Sequence, residues 1–250
     1  MIAAFQGSVN YISINFTDNM KKIRLLLSTF VGLLILIPHS QAASPFNGTD
    51  LDDWKTKPRG KNKDCWSVGV AAVDSENPNE LIVKDGTGEM VNAPSKTAGK
   101  SLDIYSTFTY GDARIELEIM VPKGSNSGIY IHGEYEIQIL DSHGRTKLGM
   151  GDMGAIYGAK PPAMNASKKP GEWQKYEIVF HAPKFKDGKK VKNAYIEKVV
   201  LNGKVIQEKI ELPRPTPGGL TGKEMAKGPI MFQGDHGPVA FRNIKITPLK

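Results

Sequence analysis

The chain has 250 residues, a formal net charge of +7 and 40% hydrophobic residues, a composition typical of a folded globular protein. The positive charge comes mainly from scattered lysines, without a stripe of arginines interleaved with aromatic residues, so the sequence argues against nucleic acid as a partner. Cys65 is the only cysteine, which excludes an intramolecular disulfide and argues against a thiolate metal cluster.

A secretory signal peptide is predicted at residues 20–42. Its basic start, Lys21 to Arg24, is followed by an apolar run and by the small-residue site Ser40-Gln41-Ala42. The apolar run is shorter than the roughly 20 residues that a membrane-spanning helix needs, so no stable membrane anchor is expected after cleavage. Residues 1–19 are interpreted as a dubious N-terminal extension. Residues 43–250 are then predicted to form a single domain that is periplasmic or secreted.

Short apolar runs with a period of two residues predict β-strands throughout the exported part, and Gly, Pro, Asn and Asp clusters separate them. Asn202-Gly203 predicts a hairpin, because a type I′ turn needs positive φ at both central residues. The strands show no alternation with helices, so the fold class is predicted to be all-β, with two antiparallel sheets packed face to face. The predicted strands are, in chain order, 81–83, 113–121, 129–140, 173–180, 195–201, 204–210, 229–232 and 239–246.

The segment from Ser127 to Gly144 carries the clearest candidate site. Its apolar residues share odd numbers and would face the core, whereas its polar residues share even numbers and would face the other way. If the strand turns sharply near Gly133, this parity still holds within each half. Neighbours on one face of a strand lie roughly 6.5–7 Å apart, a spacing that suits carboxyl groups acting around a sugar. Alternating polar residues can also simply face water, which is the expectation for Glu134 alone. The even-numbered residues are Tyr130, His132, Glu134, Glu136 and Gln138.

Asp141 and His143 follow the polar face at the start of a long glycine-rich loop. Together with Glu136 and Gln138 they are residue types that form sites, and a ligand or cation could reach them from the edge of the sheet. Asp, Gln and His are also candidate ligands for a divalent ion, although this mixture does not select one metal.

A second candidate group lies in a glycine-rich turn near the C-terminus. Gln233, Asp235 and His236 occur there between two predicted strands, and glycines allow the backbone to approach a ligand closely. Arg242 follows in the last strand, where it could pair with a carboxylate of the sheet or hold a substrate oxygen.

Four segments in order resemble the 3-keto-disaccharide hydrolase domain, and the resemblance covers about residues 45–250. The chain departs from the family at Gly234, which lengthens the usual Leu-Gln-Asp-His turn. The matching segments are Phe46–Trp54, Ser127–Tyr130 with Tyr135–Asp141, Gly171–Glu177, and Gly228–Ile230 with the closing strand to Ile244.

The resemblance implies a concanavalin A-like jelly roll that cleaves 3-keto-glycosides, as a hydrolase or by elimination and hydration. Such chemistry needs a base, a group that polarises the 3-keto oxygen and an acid for the leaving group. A divalent cation is one candidate for the polarising role. The predicted catalytic residues are Glu136, Asp141 and His236, and the predicted substrate-binding residues are Gln138, His132, Tyr130, His143, Gln233 and Arg242.

Two other functions remain open at this point. A carbohydrate-binding module of the same fold could use Trp54, Trp66 and Trp173 as platforms for sugar rings. A conventional endo-glucanase would use acids at alternate positions of one strand, as Glu134 and Glu136 are, but the next position in that series is Gln138 rather than an acid.

Overall fold

The computed structural model describes residues 42–95 and 99–250, and this part of the chain contains fourteen β-strands and no α-helix. The predicted extension and signal peptide lie outside the described residues, apart from Ala42, and stay predictions. None of the described residues forms a helix with the length and apolarity to cross a membrane. The strands are β1 (Trp54–Lys57), β2 (Trp66–Val73), β3 (Leu81–Asn92), β4 (Asp103–Tyr110), β5 (Ala113–Met120), β6 (Asn126–Ile131), β7 (Tyr135–Leu140), β8 (Gln174–His181), β9 (Lys184–Lys186), β10 (Lys189–Lys192), β11 (Ala194–Leu201), β12 (Lys204–Leu212), β13 (Gly228–Phe232) and β14 (Val239–Pro248).

Two large antiparallel sheets form the body of the fold. The seven-stranded sheet has the order β12-β11-β8-β5-β14-β3-β2, and the five-stranded sheet has the order β1-β4-β13-β6-β7. The short strands β9 and β10 pair only with each other. The predicted fold class, an all-β jelly-roll sandwich of two antiparallel sheets, is confirmed.

The core lies between the inner faces of the two sheets. On β5 the odd-numbered Ile115, Leu117 and Ile119 are buried, as the period of two predicts, while Arg114 is exposed. Phe232 of the five-stranded sheet stacks on Phe241 of the other sheet, and their ring centroids are 3.8 Å apart. Full burial of each such side chain contributes about 1.5–3 kcal/mol, so this layer is the main source of stability.

Two hairpins of the structure lie in segments for which the sequence made specific predictions. Asn202 and Gly203 have φ of 51° and 79° and join β11 to β12, which confirms the predicted hairpin. The alternating segment 129–140 is not one continuous strand, because the chain reverses between Ile131 and Tyr135. The alternative of a sharp turn near Gly133 describes it. Residues His132 and Gly133 adopt φ of 55° and 71° there, so β6 and β7 lie side by side.

Candidate functional site

The β6–β7 hairpin places its polar residues on the face of the five-stranded sheet that points away from the core. Tyr130 pairs with Glu136 across the hairpin, and Gly128 pairs with Gln138, so their side chains share one face. The predicted shared face of Tyr130, Glu136 and Gln138 is therefore confirmed. Three of these positions are almost fully buried, because loops cover this face of the sheet: Tyr130, Glu136 and Gln138 are 1–3% exposed.

A cleft of about 180 Å³ lies over this part of the sheet. The hairpin provides its floor, and four loops provide its walls. Two glutamine side chains, one asparagine and one histidine give it both donors and acceptors for a polar ligand. The lining residues are Arg59, Asn126, Tyr130, Glu136, Gln138, Tyr157, Pro217, Gly218, Gln233 and His236.

Glu136 is the buried carboxyl group at the centre of the floor. Its Oε2 accepts a hydrogen bond of 2.8 Å from the Tyr130 hydroxyl group. Burial raises the pKa of Glu136 to about 7, although the bond from Tyr130 and the charge of His236 act in the opposite direction. Glu136 can therefore take up or release a proton near neutral pH, which a carboxyl group in water cannot do.

The space for this carboxyl group comes from Gly128 on the neighbouring strand. A Cβ atom at Gly128 would lie 2.3 Å from Glu136 Oε1, far inside contact distance. The Gly128→Ala variant is therefore expected to push the carboxyl group toward solvent and return the Glu136 pKa toward its ordinary value of 4.5. NMR titration of the Glu136 side-chain carbon measures this change.

Gly151→Ala provides the matched control, since a Cβ atom at Gly151 meets nothing within 4 Å and its backbone is not in the left-handed region. This variant should leave the Glu136 titration unchanged. A Gly128→Ala protein whose Glu136 still titrates near 7 would show that the glycine does not set the position of the carboxyl group.

His236 faces Glu136 across the cleft and is held by an acidic neighbour. Its Nδ1 makes a short hydrogen bond to Oδ1 of Asp235, whose other carboxylate oxygen lies 2.6 Å from an Arg59 guanidinium nitrogen. The bond to Asp235 raises the pKa of His236, and burial opposes it. For Asp235 itself, burial tends to raise the pKa, but His236 and Arg59 outweigh it and the pKa is lowered. The arrangement favours the protonated form of His236 and the ionised form of Asp235.

The amide side chains of the cleft form the remaining part of its floor. Gln138 donates a hydrogen bond of 2.7 Å to Asn126 Oδ1, and both side chains line the cleft. The backbone N–H of Gln233 donates to the Gly128 carbonyl, which fixes its side chain at the opposite rim. These groups can bind hydroxyl groups of a ligand, and the predicted site positions Gln138 and Gln233 both reach the cleft.

His132 does not reach the cleft, in contrast to the prediction, because it lies in the turn where the parity of the strand ends. Its ring packs against Tyr110 and Phe180, with centroids 5.1 and 4.8 Å away. Its Nε2 lies 3.2 Å from the Gly111 carbonyl oxygen, while its buried Nδ1 has no hydrogen-bond partner. Burial lowers the pKa of His132 to about 4.

Because His132 is buried in its neutral form, the folded protein is expected to lose stability in acid. Its folded pKa lies below the ordinary value of 6.5, so the unfolded chain binds the extra proton between pH 6.5 and 4. Its contribution to the free energy of unfolding is therefore complete above pH 6.5 and decreases by up to about 3 kcal/mol as the pH falls to 4. Urea unfolding of the wild type and of His132→Asn at several pH values measures this difference. Asparagine tolerates the positive φ at this position. Parallel pH curves for the two proteins would contradict the prediction.

Asp141 and His143 also lie away from the cleft, which corrects the prediction that they complete the site. The Asp141 carboxylate accepts hydrogen bonds from the backbone N–H groups of Gly124 and His143, at 2.9 and 3.3 Å. It therefore joins its own turn to the loop between β5 and β6, and His143 is exposed to solvent beside it.

Arg242 belongs to the other sheet. Its Nε donates to Glu118 at 2.8 Å, a second guanidinium nitrogen donates to Glu89 at 3.2 Å, and the guanidinium carbon lies 4.0 Å from the Trp173 ring centroid. The predicted substrate contact is therefore wrong, and the alternative of pairing with sheet carboxylates describes Arg242.

Glu134 fastens the loop that forms one wall of the cleft, residues 213–222, which we call the wall loop. Its carboxylate accepts hydrogen bonds from the backbone N–H and hydroxyl group of Thr221 and from the Gly222 N–H, at 2.7–3.0 Å. The Lys57 ammonium donates to the Gly218 and Gly219 carbonyls at 2.9 and 2.8 Å. Glu134 is 3% exposed, so the expectation that it faces water is wrong.

The tryptophans do not form sugar platforms in the cleft. Trp54 and Trp66 are 7% and 8% exposed and belong to the core, and Trp173 packs beneath Arg242. The candidate metal ligands also remain apart: the described residues contain no group of three or more His, Cys, Asp or Glu side chains that could hold a metal ion.

Three polar side chains that line the cleft are not among the predicted site residues: Arg59, Asn126 and Tyr157. Arg59 and Tyr157 lie in loops, where no periodicity indicates the direction of a side chain. The sequence places Asp235 beside His236 in the candidate turn but assigns it no role. Asn126 could have been found, because it continues the even-numbered series of Gly128 and Tyr130 on the same strand.

Comparison with known proteins identifies the family. Residues 41–247 match the model of the 3-keto-alpha-glucoside-1,2-lyase-like domain. The chain belongs to this family. This confirms the resemblance seen in the four sequence segments, and the match spans the sheets and loops that form the cleft.

Two solved structures from Parabacteroides distasonis, each described as a "putative glycosyl hydrolase", are similar to this chain. One is 30% identical, covers 79% of this chain and 84% of its own, and has a TM-score of 0.56. The other is 19% identical, covers 84% of this chain and 94% of its own, and has a TM-score of 0.54, which supports the fold. No curated protein matches the chain.

Proposed function

We propose that this chain is an exported carbohydrate-active enzyme that cleaves 3-keto-glycosides through elimination followed by hydration. The observation that carries the proposal is the buried Glu136 carboxyl group, with a pKa of about 7, in a polar cleft opposite His236. The family match and the glycosyl hydrolase relative, at 30% identity, support a glycoside as the substrate.

Oxidation at C3 makes the neighbouring C2 proton acidic, so a carboxylate can remove it. In the proposed step Glu136 accepts the C2 proton, and the C2–H electrons first form the enolate of the 3-keto group. The return of these electrons from the enolate forms the C1–C2 double bond as the C1–O bond breaks. His236 gives its proton to the departing oxygen. Water then adds across the double bond, with OH on C1 and H on C2, which completes a net hydrolysis.

Negative charge develops on the 3-keto oxygen when the C2 proton leaves. Arg59 faces the cleft and uses one guanidinium nitrogen to contact Asp235, which leaves other N–H donors for an oxygen of the substrate. The amide groups of Asn126 and Gln233 supply further donors around the same space. We assign these groups to orienting the sugar ring and stabilising the oxyanion.

A conventional glucanase would need a second carboxyl group in the cleft beside Glu136. Glu134, the predicted partner, uses its carboxylate to hold Thr221 and Gly222, which disfavours that reading. A non-catalytic module that used Trp54, Trp66 and Trp173 as platforms is disfavoured, because these tryptophans lie in the core or beneath Arg242. Tyr157 is an exposed aromatic ring that lines the cleft, so the assay below is needed to separate catalysis from binding.

The proposed function is tested with paired substrates. A disaccharide and the same disaccharide oxidised at C3 are incubated with the purified protein, and products are separated by chromatography. Cleavage of the oxidised sugar alone is expected. Equal cleavage of both sugars would replace the proposal with a conventional glycosidase, and binding without cleavage would replace it with a binding module.

Export is part of the proposal and rests on the signal-peptide pattern at 20–42. N-terminal sequencing of the protein from its native host is expected to begin near Ala43. Recovery of a cytosolic chain that still carries Lys21 would show that the pattern is not a cleaved signal.

A further inference from the structure

A second cavity, larger than the cleft, lies directly beside it. Its volume is about 420 Å³, and it shares Tyr157 and Pro217 with the cleft. Residues 157–159 form one side and residues 211–217 form the other. A ligand that passes between Tyr157 and Pro217 would occupy both spaces.

The lining of this cavity combines apolar surfaces with a few polar groups. Tyr157 is 39% exposed, and three proline rings face the same space. Arg214 is exposed and makes no hydrogen bond or ion pair with any described residue, so its donors are free for a ligand. A sugar ring, with apolar C–H faces and hydroxyl groups at its edge, matches this combination. The three prolines are Pro213, Pro215 and Pro217.

The volumes of the cleft and the second cavity indicate which part of a substrate each of them can hold. At about 180 Å³ the cleft is smaller than the roughly 300–1,000 Å³ of pockets for drug-sized ligands, whereas cleft and second cavity together reach that range. The catalytic groups Glu136 and His236 line the cleft and not the second cavity. One ring can therefore lie over the catalytic groups, and the second cavity remains for whatever is attached to that ring.

The second cavity is also held in a defined shape. Thr216 donates its backbone N–H to the Glu134 carbonyl at 3.0 Å, and the Tyr157 N–H donates to the Glu136 carbonyl at 3.2 Å. Both sides of the cavity are thus hydrogen-bonded to the hairpin that carries Glu136. A preformed cavity binds a ligand without the entropy cost of ordering a loop.

We propose that this cavity is the subsite for the second ring of the substrate, the ring joined to the oxidised sugar through the scissile oxygen. The inference rests on the proposed function for the identity of the first ring. It makes disaccharides, or glycosides with a ring as the leaving group, the preferred substrates over glycosides of small alcohols.

The test measures binding to the Glu136→Gln protein, so that no substrate is consumed. Calorimetry compares maltose, cellobiose and trehalose with the methyl glucoside of matching anomeric configuration, each with and without oxidation at C3. At least one disaccharide is expected to bind about tenfold or more tightly than its methyl glucoside.

An added Ala159→Trp change blocks the second cavity alone, because Ala159 is exposed there and does not line the cleft. It is expected to abolish the extra affinity of the disaccharide and to leave the methyl glucoside within about twofold of its original Kd. Ala163→Trp is the matched control: Ala163 is an exposed alanine in the same loop that lines a different cavity. It should retain the extra affinity, and melting curves verify that each variant is folded.

Three results would overturn the subsite. These are equal binding of every disaccharide and its methyl glucoside, an equal loss for both ligands in Ala159→Trp, and no detectable binding of any disaccharide. Failure of the proposed function would give a different result. The disaccharide would still bind more tightly than its methyl glucoside, and Ala159→Trp would still abolish this difference, but oxidation at C3 would not change the affinity of either ligand.

Discussion

Replacing Glu136 with glutamine is expected to lower kcat on a 3-keto-disaccharide by roughly 10²–10⁴-fold, while the protein stays folded. Glutamine has nearly the same shape, and its carbonyl oxygen can accept the bond from the Tyr130 hydroxyl group, but it cannot accept the C2 proton. Steady-state rates across pH 5–9 and melting temperatures measure the two effects.

The same variant is expected to gain stability at alkaline pH. Because the folded pKa of Glu136 is raised from 4.5 to about 7, its contribution to stability is complete below pH 4.5 and is lost as the pH rises to 7. A glutamine side chain does not ionise, so it does not lose stability as the pH rises. Glu136→Gln should therefore exceed the wild type by up to about 3 kcal/mol at pH 8 in urea unfolding, and the difference should disappear near pH 4.5.

Glu134→Gln provides the contrast from the same hairpin. Its three hydrogen-bond donors would share one carbonyl oxygen instead of two carboxylate oxygens, so this variant is expected to lose about 1–3 kcal/mol of stability. The two glutamate substitutions should therefore shift stability in opposite directions at pH 8. A Glu136→Gln protein that melts earlier and turns over normally would make Glu136 a structural residue.

Asp235→Asn is expected to lower kcat by about 10²-fold at pH 8 and by less at pH 6. The Asp235 carboxylate raises the pKa of His236, so its loss lets the histidine release its proton at lower pH. Fewer molecules then hold the proton that the leaving oxygen requires. The alkaline limb of the pH profile of kcat/KM should move to lower pH.

Asp112→Asn is the matched control for this charge removal. Asp112 pairs with Lys184 at 2.6 Å and accepts a hydrogen bond from the Ala182 N–H, and it does not line the cleft. This variant should change the melting temperature without moving the pH profile. An alkaline limb that stays in place in Asp235→Asn would remove His236 from the role of proton donor.

The period of two residues predicted the sandwich because it reports directly on which face of a strand is buried. The same rule located Tyr130, Glu136 and Gln138, which share one face across the β6–β7 hairpin. It failed at His132, since left-handed residues in the turn end the alternation and direct its ring toward Phe180.

The remaining errors of the sequence prediction concern contacts between residues that lie far apart in the chain. Whether Arg242 meets a substrate or Glu118 depends on which sheet receives the last strand, and alternation alone does not determine this. Arg59 and Tyr157 reach the cleft from loops that are fixed by contacts distant in sequence. For Asp141 the residue type was suitable, but hydrogen bonds from the Gly124 and His143 backbone N–H groups already occupy both carboxylate oxygens.

The attachment of the wall loop to Glu134 has a consequence for how this protein could diversify. Inward-facing hydrogen bonds at Thr216, Thr221 and Gly222 fix the path of the loop, whereas Arg214 projects outward without a partner among the described residues. Substitutions on the outward side can therefore change which leaving group is accepted while the anchor, and with it the chemistry at Glu136, stays constant. Single substitutions at exposed positions of the wall loop are therefore a route by which related sequences can accept new leaving groups.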